Sequence, residues 1–301
     1  MVTFQNQLTP PHAGDMVHIN LTSESATMSI AFVFTNYNNS KFTKLAVESI
    51  QRSDAKDSPV IVVDNASTVL DQNLLKTLEL QYPQIKVIYN ATNLGYFPGL
   101  NIGIEYAHRH HPEAQYLVVG NNDLEFSEQI ASEILKKTEL LGKYPVISPN
   151  ITMLDGSPQN PHVVTGISKF REFIYDLYHS SYILADIIIK LASLTHRFTD
   201  RRDEQQHAIP QEISQGYGAC YILTPLFFKT LKTLWAPTFL MYEEFFLSKQ
   251  LEDNGYKVFY EPSIKVRHHC HASTGQLPGR LRWEYSRKAH KEYRKYVKVI
   301  R

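Results

Sequence analysis

Residues Tyr116 to Phe126 read YLVVGNNDLEF, a short apolar run that halts at Gly120 and delivers Asn121, Asn122 and Asp123 to one point. Leu117-Val118-Val119 is brief, partly β-branched and bounded by a turn residue, which predicts a strand buried on both faces. Polar groups at the carboxyl end of such a strand are where open α/β sheets bind ligands. A carboxylate there, flanked by amides, suits a hard divalent cation that bridges phosphate oxygens. The same tripeptide also suits a plain turn, because Asn and Asp tolerate left-handed backbone. Which reading holds depends on what the rest of the chain brings to that point.

Working outward toward the N-terminus, the same pattern recurs. Ser29 to Thr35 (SIAFVFT) is an apolar run ending in Asn36-Tyr37-Asn38-Asn39, and Ser40 then opens a helix with Phe42, Leu45, Ala46 and Ile50 on one face. Pro59 to Val63 ends in Asp64-Asn65-Ala66-Ser67, a helix carrying Leu74, Leu75 and Leu78 follows, and Ile85 to Tyr89 makes a third strand. Strand, helix, strand, helix, strand implies a parallel sheet with helices on its faces. Asn93 to Gly103 (NLGYFPGLNIG) then leads into a helix expected to open at Pro98 or Gly99, with Asn side chains and backbone N–H groups that could cradle an anion or a ribose. Thr35-Asn36, Asp64-Asn65 and Asn121-Asn122-Asp123 all end strands, and in a parallel sheet they emerge on one edge as a single site. Neither G-x-G-x-x-G after the first strand nor G-x-x-x-x-G-K-[ST] is present, which removes the dinucleotide-binding and P-loop readings.

Beyond that point, Pro145 to Asn150 is a further strand, and Leu184, Ile187, Ile188, Leu191 and Leu194 form a helical apolar stripe expected to pack on the core or to meet a membrane or partner. Gln215 to Leu223 brings Gly216 and Gly218 into a strand where backbone can lie close to a ligand. In Phe239 to Leu247 (FLMYEEFFL) two adjacent carboxylates, Glu243 and Glu244, are flanked by large apolar residues. Desolvating such a pair is costly and raises the pKa of at least one member, making a base; the alternative is a solvated first helical turn favoured by the dipole. His268-His269-Cys270-His271 could suggest zinc, but neighbours on an extended segment point in opposite directions, so His268 serves better as a single imidazole reaching an Asp123-bound metal.

The whole chain has 301 residues and a net charge of +1, so no global field argues for nucleic acid. Arg280 to Arg301 nevertheless holds nine Lys/Arg against Glu284 and Glu292, a basic, aromatic-rich run that reads either as a solvated helix face or as a membrane-surface contact. Two cysteines favour a reduced compartment. With no signal peptide and no apolar segment of spanning length, a cytoplasmic protein is expected.

Taken in order, FTNYNN, VVDNAS, NLGYFPGLNIGI, VVGNND, GYGACYIL and TFLMYEEFFLSKQLEDNGYKVFYEPSIKVRHH resemble the GT-A-fold, family 2 glycosyltransferases, especially rhamnosyltransferase-like bacterial members that build surface polysaccharides. The resemblance implies an α/β GT-A fold with a mostly parallel central sheet. It divides the chain into a tail or peripheral extension over 1–28, a GT-A domain over 29–270 with a nucleotide-binding half (29–125) and an acceptor half (126–270), and a basic helix over 271–301. It puts Thr35, Asn36 and Asp64 around the base and ribose, Asn93 and Asn101 by the nucleotide-sugar together with Asn121 and Asn122, and Asp123 and His268 on Mg2+ or Mn2+. Asn121 stands where the family's metal motif has its first acid. Glu244 matches the general base, with Glu243 beside it. The implied activity is inverting, metal-dependent transfer of rhamnose or a hexose from a dTDP- or UDP-sugar to a lipid-linked glycan acceptor at the inner face of the plasma membrane. The rivals are a nucleotidyltransferase of similar fold and a non-catalytic sugar-binding member.

Overall fold

The computed structural model describes residues 29–195, 202–270 and 279–298; the expected tail over 1–28 and His271 lie outside them. The first half is β1 (Ser29–Asn36), α1 (Ser40–Gln51), β2 (Val60–Asp64), α2 (Val69–Gln81), β3 (Ile85–Tyr89), α3 (Tyr96–His110), β4 (Ala114–Asn121) and β5 (Leu124–Phe126). The second half is α4 (Ile130–Leu135), α5 (Thr138–Leu141), β6 (Val146–Met153), α6 (Lys169–Ser180), α7 (Tyr182–Thr195), β7 (Gln211–Ile213), β8 (Cys220–Leu223), α8 (Pro225–Thr230), α9 (Glu243–Asp253), β9 (Val258–His268) and α10 (Gly279–Tyr293).

One sheet runs through both halves in the order β3-β2-β1-β4-β8-β6-β9-β5, with β7 also on β9. The α/β class expected from the sequence holds, and the sheet is mixed, its parallel pairings concentrated in the first half. From β3 to β4 every pairing is parallel, whereas β8 pairs antiparallel with both β4 and β6, and β9 pairs parallel with β6 but antiparallel with β5 and β7. The parallel half follows from helical crossovers between consecutive strands. Past β5 the chain returns through shorter or irregular connections, and antiparallel neighbours become available.

Alternation along β1 explains why its run is continuously apolar. Ile30, Phe32 and Phe34 enter one buried cluster with α1 and α2, while Ala31 and Val33 enter another with α3 and α9. Phe126 of β5 closes the first cluster edge-on against Phe32 at 5.1 Å. Each such fully buried side chain contributes about 1.5–3 kcal/mol relative to exposure.

α3 begins at Tyr96, two residues before the expected Pro98. Gly95 precedes it with φ +89°, and a β-carbon there would stand 2.3 Å from the carbonyl oxygen of Phe239. Only glycine serves both demands, the left-handed backbone and the close approach of the 236–242 segment. The α7 stripe does form a helix, but not a core one: Ala185 is buried while Ile183, Ile187 and Leu191 are exposed. The basic C-terminal run is helical over Gly279–Tyr293, and it is not a freely solvated face, because Trp283, Ala289, His290 and Tyr293 are buried.

Candidate active site

The parallel register places the strand ends side by side, Thr35 opposite Asn121 and Asn36 opposite Asp64. They open on a cleft of about 910 Å³ that spans both halves of the sheet, within the size range of small-molecule sites.

Asp123 follows β4 directly and His268 ends β9; the antiparallel pairing of Leu124 with His268 brings them together. His268 Nε2 lies 3.1 Å from Asp123 Oδ1, both residues being buried. On its other side His268 Nδ1 lies 2.8 Å from Gln159 Oε1. That oxygen only accepts, so Nδ1 carries a proton, while Nε2 faces Asp123 Oδ1 at a distance that serves an N–H donated to the carboxylate or, with Nε2 deprotonated, two ligand atoms of one cation. Gln159 is held in turn by its neighbour Asn160, whose amide donates to Ser148 Oγ at 2.6 Å and to the Pro149 carbonyl at 2.8 Å.

A lone pair facing a carboxylate oxygen at this distance fits a shared cation. Two ligand atoms bound cis at about 2.0–2.1 Å to one octahedral ion stand about 3 Å apart. Among the described residues no group of three or more His, Cys, Asp or Glu gathers to hold a metal, so a cation shared by Asp123 and His268 would find no further ligand of these types there; His271 of the His run lies outside the described residues. His269, pointing the other way, packs near Phe42 and lies 3.5 Å from Glu125. The Asn121 amide approaches His268 Nε2 at 3.4 Å.

Glu243 and Glu244 open α9 and line the same cleft from the other half. Both halves of the sequence expectation hold at once: the pair sits in a first helical turn, and Glu243 is nonetheless buried. Burial, with the neighbouring Glu244 charge adding to it, pushes the Glu243 carboxyl up to about 8. Glu244 lies against Gly218, the Tyr96 hydroxyl donates to the Gly218 carbonyl at 2.8 Å, and burial raises the Tyr96 phenol well above its ordinary value.

Other expected residues are placed differently. Asn36, Asp64 and Asn122 are buried and bonded to one another or to protein. The Asn36 amide donates to Asp64 Oδ1 at 2.9 Å, and its oxygen accepts from Asn122 and Thr43, each at 3.0 Å. Asn122 also donates to Asn39 Oδ1 at 2.8 Å, and Asp64 accepts further from Ser67 N and Gln72. These side chains brace the loops after β1, β2 and β4, and Asn36 and Asn122, though not Asp64, also line the cleft. Asn101 is likewise tied to the Leu234 backbone through both ends of its amide and does not line the cleft. Thr35 and Asn93 do line it, Asn93 accepting from Gly95 N.

Tyr37, Gln159 and Arg282 were not singled out from the sequence. Tyr37 is 43% exposed and lines the cleft beside Thr35. Arg282 of α10 is the one Lys or Arg among the described lining residues, against three carboxylates. Gln159 carries no sequence signal, since its loop has no period.

Comparison with known proteins bears on this geometry. The family described as glycosyl transferase family 2 matches residues 31–176, just under half of the chain. No curated protein sequence matches. The fold is similar to GalNAc-T7 with UDP, GalNAc and Mn2+, at TM-score 0.53 and 14% identity over 80% of this chain and 44% of that one. It is also similar to the mannosyltransferase PcManGT from Pyrobaculum calidifontis in complex with GDP-Man and Mn2+, at 0.52 and 12% over 91% of this chain and 66% of that one. S. aureus TarS 1-349 in complex with UDP-GlcNAc gives 0.50 and 14% over 90% and 68%. The chain thus spans less than half of GalNAc-T7. Family and fold bear out the resemblance to GT-A-fold family 2 glycosyltransferases and do not separate rhamnosyltransferase-like members from the rest.

Proposed function

We propose that the chain transfers a sugar, rhamnose or a hexose, from a dTDP- or UDP-linked donor to a glycan acceptor, inverting the anomeric centre in a single displacement. Family and fold support a nucleotide-sugar glycosyltransferase. The observation that carries the reading further is that Glu244 faces the same cleft as Asp123 and His268 from the opposite half of the sheet. A base on one side and a leaving-group site on the other is what in-line displacement at a carbon between them requires.

Thr35 and Tyr37 border the end suited to a nucleobase, where a partly exposed aromatic ring offers a stacking face. Asn93 stands beside the path to the sugar. Asp123 and His268 would hold a divalent cation, Mg2+ or Mn2+, whose charge would stabilise a departing nucleoside diphosphate. Glu244 accepts the proton of the acceptor hydroxyl as its oxygen attacks the anomeric carbon and the bond to the phosphate oxygen breaks. Glu243, carrying a proton at neutral pH through its burial, spares Glu244 a second negative charge beside it. Arg282 offers the cleft a cation for an anionic part of either substrate.

The acceptor is read as lipid-linked at the cytoplasmic membrane face. No helix among the described residues is long and apolar enough to cross a membrane. Ile183, Ile187 and Leu191 of α7 are exposed, and Tyr182 at the start of that helix meets Trp283 of the basic α10 at 5.6 Å; exposed apolar side chains on one helix and basic ones on the other suit an anionic surface.

A thermal-shift panel of dTDP-rhamnose, UDP-GlcNAc, UDP-glucose and GDP-mannose, with and without Mn2+, identifies the donor. With that donor, Glu244→Gln is expected to lower transfer at least 100-fold, the scale of losing a general base, while donor binding survives. Unchanged turnover in that variant removes Glu244 from the role. Consumption of a nucleoside triphosphate would favour a nucleotidyltransferase instead, and absence of donor turnover with any metal would favour a binding protein.

A further inference from the structure

The turn that presents the two glutamates opposes its own stability. Met241 and Tyr242 are consecutive left-handed residues, φ 77° and 66°, and neither is glycine. Glu243 is buried next to a second carboxylate, and its Oε1 has no hydrogen-bond partner among the described residues. No side chain caps the helix that follows. Strained backbone of this kind persists only where the surroundings over-determine it; within the segment the Glu243 carboxyl accepts from the backbone of Met241 and Glu243, and the Tyr242 side chain is held from outside it.

The surroundings come from α6 and α10. The Tyr242 hydroxyl lies 2.9 Å from His290 Nδ1, and His290 Nε2 lies 2.8 Å from Asp176 Oδ1. An ionised carboxylate only accepts, so Nε2 carries the proton and Nδ1 accepts from the phenol. Arg294 donates through Nε to the same Asp176 oxygen at 2.6 Å and through Nη2 to the Glu172 carbonyl at 2.7 Å. The His290 ring stacks on His179 at 4.1 Å and 14°. His179 in turn donates from Nδ1 to the Tyr175 carbonyl at 2.7 Å and accepts from Ser286 at 2.9 Å. Burial raises Asp176, but the bonds from His290 and Arg294 outweigh it and hold the carboxyl below its usual range; burial holds both imidazoles below theirs. Neither His290 nor Asp176 lines the cleft.

We propose that His290 and Asp176 are positioning residues of the transfer reaction: through the Tyr242 hydroxyl they hold the left-handed turn that sets Glu244 against Gly218, which makes α10 part of the frame of the active site. The claim rests on the reading of Glu244 as the base, but its structural half can be tested without it.

Two variants of the full chain, Tyr242→Phe and His290→Phe, keep the ring packing and delete the bonds. Amide hydrogen exchange over residues 240–247 is expected to quicken about tenfold or more in both, with α3 unchanged. With the donor found by the panel, kcat for transfer is expected to fall about tenfold at unchanged donor KM, and donor hydrolysis without acceptor to stay at the wild-type rate. Because His290 does not touch the cleft, a kcat change in His290→Phe cannot come from lost substrate contact. Wild-type exchange over 240–247 in both variants overturns the proposal, and so does a fall in kcat matched by a rise in donor KM and a general loss of exchange protection. If the wild-type chain transfers no sugar, the reading of Glu244 fails, and the exchange rates alone still decide whether the relay holds the turn. Should His290→Phe fail to fold, Tyr242→Phe, which lacks one hydroxyl, decides by the same exchange measurement.

Discussion

Glu244 and Gly218 are packed so closely that a β-carbon on residue 218 would lie 2.9 Å from Glu244 Oε1 and 3.1 Å from its carboxyl carbon. The sequence Gly-Tyr-Gly before β8 therefore serves the position of a side chain 26 residues further on, as much as it serves any ligand. Gly218→Ala is expected to displace the carboxylate, since the methyl and the carboxyl cannot share that space. Misplacing a catalytic group by about an ångström costs on the order of 100-fold in rate. Transfer should fall by that order while donor affinity, which the proposed function assigns to the Asp123 and His268 side of the cleft, changes little; a variant with wild-type kcat would show that the contact is incidental.

Gln159 holds the Nδ1 edge of His268 through a 2.8 Å bond and so orients Nε2 toward Asp123. Partners of this kind change metal affinity by about 10–100-fold when lost. Gln159→Ala should weaken Mn2+ binding by about tenfold or more, measured by titration calorimetry in the presence of the matching nucleoside diphosphate. Equal affinity in wild type and variant would mean that His268 is oriented by its strand alone or is not a ligand.

What the sequence shows of this site depends on whether the signal is local. The ends of β1, β2 and β4 are legible because an apolar run buried on both faces must stop where polar residues begin, and three such stops in a βαβ order converge. Direction is not legible: Asn36, Asp64 and Asn122 stand at the cleft's edge, yet their side chains turn inward to one another. The α10 run looks solvated because, Ala289 apart, its buried members are His290, Trp283 and Tyr293, whose polar atoms are satisfied by α6 and by Tyr242. Without that partner in view, nothing in the run marks a core face. Gln159 lies in a stretch with no period at all, and the return of β9 beside β6 brings His268 to its side chain. The α7 stripe shows the opposite failure, a helical period that predicts burial where the helix leaves its apolar side exposed.

The inward-turned amides make a prediction of their own. Asn122 bonds to Asn36, Asn39 and Thr43, at distances down to 2.7 Å, and removing it strands buried acceptors. Asn122→Ala should cost about 2–3 kcal/mol of stability and lower the melting temperature by several degrees, with nucleotide affinity of the folded protein unchanged. A loss of affinity without a loss of stability would return Asn122 to the donor site.

Glu243 makes stability depend on pH in an unusual direction for a carboxylate. Its folded value is raised to about 8 from an ordinary 4.5, through burial first and the Glu244 charge second. Between those values the folded chain keeps a proton that the unfolded chain has released. Stability contributed by this group is therefore fully present below the unfolded value and is lost as pH rises through the window, at a rate approaching about 1.4 kcal/mol per pH unit. Glu243→Gln carries no charge to desolvate, so the variant should lose less stability than wild type between pH 5 and pH 8, by at least about 1 kcal/mol. Urea unfolding of both proteins at the two pH values measures the difference directly. Parallel pH profiles would mean that Glu243 ionises normally in the folded protein, and the neutral neighbour assigned to Glu244 would have to be given up.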